Sequence, residues 1–208
     1  MAISNAEMVE IYQDIGFKSP ITGGPAGSLK SPIAQTLPFE MCSGATGNSS
    51  ALLLLNALYI TQGQTITNIN YVTATTAASG PTHLWFALYD DGRGSSTAGQ
   101  LALLGQTADQ GSAAINANTN IGLSLILPWT TQYSGIYYAA LLQVATVTAA
   151  TFAGNSKAST FSSMGIASGG TGQLFPWSAI GTGGLTNQAP ALSGALALKS
   201  GSEFAYVS

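Results

Sequence analysis

Charge is what this chain has least of. Asp, Glu, Lys and Arg make up 6% of its 208 residues, where an ordinary globular domain carries about 25%. Five basic residues and a net charge of −3 give no cationic surface for a phosphate backbone, which argues against nucleic acid as a partner. Cys42 is the sole cysteine and His83 the sole histidine, so neither an intrachain disulfide nor a zinc site of Cys and His ligands is available. No G-x-x-x-x-G-K-[ST], H-E-x-x-H or G-x-S-x-G motif occurs, and nucleotide, zincin and hydrolase readings lose their anchors. The expectation is a non-enzyme with no cofactor and no metal. The opening MAISNAEMVE places acidic residues where a secretory signal needs basic ones ahead of an apolar stretch. IYYAALLQVATVTAATFA, residues 136–153, is uncharged and borderline in length for a membrane span. Gln143, the threonines and the absence of flanking Lys or Arg speak against insertion.

What is present is apolar and neutral. Hydrophobic residues are 46% of the chain, which separates it from disordered sequences of low charge. A surface of Gly, Ser, Thr, Ala, Asn and Gln is covered by neighbours without stripping water from ions. Self-association is therefore the first functional expectation.

Residues 1–33 differ from the rest. Glu7, Glu10, Asp14, Lys18 and Lys30 cluster there, and Ser4 with Glu7 has the spacing of a capping box. Met8, Val9, Ile11, Tyr12 and Ile15 supply an apolar stripe that ends at Gly16, predicting a short amphipathic helix that serves as an assembly anchor. Such a helix is too short to persist alone in water and needs a surface to dock on. SPITGGPAGSLKSP, residues 19–32, reads as an extended linker.

Residues 34–208 read as one all-β domain. Short β-branched and aromatic runs at 36–41, 50–60, 65–75, 83–90, 101–108, 121–127, 136–145, 148–152, 191–199 and 203–207 are broken by Gly, Ser, Asn and Pro. The pattern predicts a jelly-roll-like β-sandwich. ALLLLNALYI is taken as a buried strand despite its helical composition. A Gly- and Ser-rich stretch at 154–190 carries Phe161, Phe175, Trp177 and Ile180, and its spaced apolar residues predict a long loop folded over the sandwich or a neighbour.

HLWFALYDDGRG, residues 83–94, is the most informative segment. Alternation sends Leu84, Phe86 and Leu88 to one face and Trp85, Ala87 and Tyr89 to the other, so the strand is apolar on both sides and belongs in a covered position. Asp91-Gly92 is a turn pair, which makes Asp90 and Asp91 punctuation of a hairpin rather than catalysts. A glycan hydrolase would need carboxylates from separate strands, such as Asp109 and Glu203. A glycan-binding module would use exposed aromatics, with Trp85, Tyr89, Trp129 and Trp177 as candidates.

The succession ITNINYVTATTA (66–77), THLWFALYDDGRG (82–94), LALLGQTADQ (101–110) and PWTTQYSGIYYAALLQVA (128–145) resembles a β-sandwich module of virion proteins of tailed phages, in particular those infecting actinobacteria. The resemblance spans roughly residues 50–153 and carries no catalytic set. It implies a minor tail or capsid-decorating subunit on the virion surface, tethered by residues 1–33 to other virion proteins and packed against copies of itself. Host cell-wall glycan is the alternative partner.

Overall fold

A computed structural model describes residues 32–36, 42, 44–46, 50–91, 100–155, 178–198 and 202–208. The anchor residues Met8, Val9, Ile11, Tyr12 and Ile15, and Trp177, lie outside the described residues. Among those described there is no helix, and all regular structure is β. In chain order the strands are β1 (Ala34–Gln35), β2 (Gly44–Thr46), β3 (Leu52–Ile60), β4 (Thr65–Val72), β5 (Ser79–Tyr89), β6 (Leu103–Gln106) and β7 (Asn120–Thr130). They continue as β8 (Gly135–Thr148), β9 (Phe152–Asn155), β10 (Ser178–Gly183), β11 (Ala197–Leu198), β12 (Ser202–Glu203) and β13 (Ala205–Val207).

Strand order defines the architecture. One sheet runs β1-β13-β4-β7, a second β11-β10-β3-β8-β5-β6, and a small third β12-β9-β2. Along β1, β3, β4, β5, β6, β7, β8 and β13 the chain changes sheet at every connection except β5 to β6, a hairpin within one sheet. That alternation, with β1-β13-β4-β7 facing β3-β8-β5-β6, is the jelly roll. β10 and β11 extend the second sheet beyond β3.

The second sheet is apolar on both faces. Leu54, Leu58, Leu84, Phe86, Leu88 and Leu141 turn inward and meet Ile66, Ile69, Tyr71 and Val207 of the opposite sheet. Leu53, Leu55, Trp85, Ala87, Tyr89, Tyr138 and Leu142 turn outward and form a second buried cluster with Leu101 and Ala189. This is the two-faced covering expected of residues 84–89, and ALLLLNALYI is the buried strand the sequence suggested. Each large side chain so buried contributes about 1.5–3 kcal/mol, which explains why a strand with no polar face is tolerated.

Several boundaries differ from the sequence reading. β5 starts upstream at Ser79, running through Pro81 with register shifts on either side of it. Gly80 makes this possible, at φ +65° and so close to the Thr146 side chain that a Cβ there has no room. The strand expected at 148–152 is not formed: β8 runs on to Thr148, and β9 begins only at Phe152. Of the strand expected at 191–199 only β11 forms, and residues 203–207 break at Phe204 into β12 and β13. Within the supposed loop 154–190, β10 pairs with β3. SAIGTG has too little bulk to signal a strand, and the open edge of β3 supplies the pairing. β2, in GATGNSSA, was likewise weakly marked, with Thr46 its one β-branched residue.

Candidate functional site

Chemistry-bearing side chains concentrate along β5 and its two ends. At the upstream end, His83 Nδ1 lies 2.6 Å from Asp109 Oδ2, both side chains being partly exposed. Asp109 Oδ1 accepts the N–H of Leu84 and of Gly111, each at 3.0 Å. Burial pulls the Asp109 pKa up, but the His83 hydrogen bond and the two backbone donors outweigh it and hold the carboxyl below its usual range. At the downstream end, Asp90 Oδ1 accepts the N–H of Ala102 at 2.8 Å while the Asp90 N–H donates to the Ala102 carbonyl. The Tyr133 hydroxyl donates to Asp91 Oδ1 at 3.0 Å. Asp90 therefore fastens the end of β5 to the segment leading into β6, while Asp91 is held by Tyr133 of the β7–β8 connection.

Between these ends lies the aromatic row. Trp85 and Tyr89 are 1% and 0% exposed, so the glycan contact expected of them does not fit: no ring face is open to a sugar. Residues 184–193 cross over them as a strap. Trp85 Nε1 donates to the Thr186 carbonyl and the Tyr89 hydroxyl to that of Pro190, both at 2.8 Å. The Ala189 N–H donates to Gln106 Oε1 at 2.9 Å, and the backbones of Leu103 and Leu101 pair with Ala191 and Ser193. Burial raises the phenol pKa of Tyr89 and pushes that of Tyr138, which also feels the Asp91 charge, up to about 12. Trp129 packs half-buried against the inner core, and its buried Nε1 has no acceptor among the described residues.

No family model, curated protein or solved structure matches this chain. Function is therefore argued from the side chains themselves.

The carboxylates weighed for glycan hydrolysis do not make an open pair. Asp109 is occupied by His83 and two backbone donors, and Glu203, on β12, is fully buried. Around Glu203 the sequence reading missed a polar junction centred on Asn56. Asn56 Nδ2 donates to the Tyr71 hydroxyl at 3.3 Å, while its Oδ1 accepts the Glu203 N–H at 3.1 Å and the Ser202 hydroxyl at 3.3 Å. One side chain thereby ties β3, β4 and β12, one strand from each sheet. The signal was present: an Asn inside LLLLNALYI has to be satisfied by something distant. Among the described residues, no three His, Cys, Asp or Glu side chains gather as a metal set, and no helix is long and apolar enough to cross a membrane.

Proposed function

We propose that this protein is a structural subunit of a tailed-phage virion, a minor tail or capsid-decorating component that works by packing against copies of itself and other virion proteins. The observation that carries the reading is the disposition of polar groups. His83, Asp90, Asp91, Asp109, Asn56 and Gln143 are all engaged in holding strands and turns together, and Asn56 and Gln143 are buried. The described residues contain no Lys or Arg, so a neighbour covers this surface at little cost in ion desolvation. The resemblance of residues 50–153 to virion modules points the same way. Burial of Trp85 and Tyr89 removes two of the four rings on which the glycan-binding reading relied.

The test is assembly. Analytical ultracentrifugation of the purified chain is expected to show a discrete oligomer, and antibody against it is expected to decorate phage particles in electron micrographs. A monomer at high concentration together with unlabelled particles overturns the reading. Deletion of residues 1–33 is expected to leave a folded sandwich that no longer joins particles, and normal incorporation of the truncated chain refutes the anchor.

A further inference from the structure

β6 ends at Gln106, yet β5 extends along that same edge from Phe86 back to Ser79. Two side chains stand in there for the missing strand. Thr107 Oγ1 accepts the Phe86 N–H at 2.9 Å and Asp109 Oδ1 accepts the Leu84 N–H at 3.0 Å. In return the N–H groups of Thr107 and Gln110 donate to the carbonyls of Phe86 and Leu84 at 2.9 and 2.8 Å. Only one of the two substitute acceptors, Asp109, titrates. Downstream the connection is anchored again at Ile115, which is 1% exposed and whose carbonyl accepts the Ala78 N–H at 3.0 Å. Residues 108–114 are thus a short span fixed at both ends, fastened to β5 between them through Asp109 and the adjoining Gln110.

We propose that the His83–Asp109 pair is a charge-operated latch: ionised Asp109 closes residues 108–114 over the edge of β5, and loss of that charge releases them and bares the β5 backbone at Leu84. The latch stands independently of the assembly reading. Among the described residues, few other charges bear on it. His83 is the only described side chain able to carry positive charge. β8 lies beside β5 here and presents Val144 opposite His83 and Gln143 opposite Leu84, neither of them ionisable. Asp90 and Asp91 stand at the far end of β5, and Glu203 is buried on β12. Among the described residues it is therefore protonation of Asp109 itself that works the latch. Because the folded carboxyl titrates below its unfolded range, the latch adds stability above that range and loses it as pH falls through the folded value.

Amide hydrogen exchange on the full chain tests the latch, with rates corrected for the intrinsic effect of pH. Between about pH 7 and about pH 2, exchange at Leu84, Gln110 and Gly111 is expected to accelerate about threefold or more while Leu55 and Leu141 in the core stay protected. Asp109→Asn is expected to show the accelerated rates already at neutral pH, with no further step on acidification. His83→Gln is expected to move the acid midpoint of the wild-type step upward. Rates at Leu84, Gln110 and Gly111 within about twofold of wild type in Asp109→Asn overturn the proposal. So does simultaneous loss of protection at Leu55 and Leu141 in the acidified wild type, which would mark global unfolding, a result readable even if the variants do not fold.

Discussion

Two buried amides show what single side chains do here. Gln143 is 1% exposed. Its Nε2 donates to the Ala150 carbonyl at 2.7 Å, and its Oε1 accepts the Ala150 N–H at 3.0 Å. The side chain copies a backbone partner, which is why the chain turns after Thr148 rather than continuing as the strand expected at 148–152. The same Gln143 weakened a membrane reading of the sequence, but its actual use required a residue seven positions on that sequence inspection did not pair with it. Asn56 plays a comparable part between sheets. Replacing Asn56 with Ala strands the Glu203 N–H and removes the partner of the Tyr71 hydroxyl, and is expected to cost about 2–3 kcal/mol in urea unfolding. Gln143→Ala is expected to cost a similar amount, and an unchanged midpoint for either variant refutes its role.

At the scale of elements, β5 and the strap form one unit. The strap's Ala189 is 3% exposed in the outer cluster, so Ala189→Asp forces a carboxylate into apolar surroundings. The expected result is a loss of roughly 3 kcal/mol and red-shifted tryptophan fluorescence as Trp85 meets water. Blue emission and unchanged stability would show that the strap does not seal that face. The tyrosines give the alkaline counterpart. Burial raises the phenol pKa of Tyr71, Tyr89, Tyr133 and Tyr138, the last up to about 12. A phenol whose folded pKa exceeds its unfolded value of 10.0 stabilises the fold fully below the unfolded value, and that contribution vanishes as pH rises through the folded one. Unfolding is accordingly expected between pH 10 and about 12, with tyrosinate absorbance rising in step. Smooth titration of all tyrosines near pH 10 without unfolding contradicts their burial.

At the scale of the molecule, the described residues are held chiefly by apolar layers and by hydrogen bonds between dipoles. His83–Asp109, an ion pair only when the imidazole is protonated, is the one contact of that kind between described residues, and it is partly exposed. Salt therefore has little to screen. The thermal midpoint is expected to move by less than about 2 °C between low salt and about 0.5 M NaCl. A large shift would mean that charges outside the described residues govern stability.

Composition and alternation by themselves determined the all-β class, the neutral exterior and the two-faced apolar character of residues 84–89. Side-chain period and hydrophobicity are local properties, legible without knowing what lies opposite. The place of Asp90 at the end of β5 was legible for the same reason, since strand-end chemistry acts over a few residues. Tertiary structure alone decided that β10 pairs with β3, that residues 184–193 seal Trp85 and Tyr89 away from any sugar, and that Asp109 meets His83 from 26 residues along the chain. Those contacts join segments far apart in sequence along one edge and the outer face of the second sheet, and pairing across such distances is set by which edges and polar groups remain unsatisfied in the assembled sandwich.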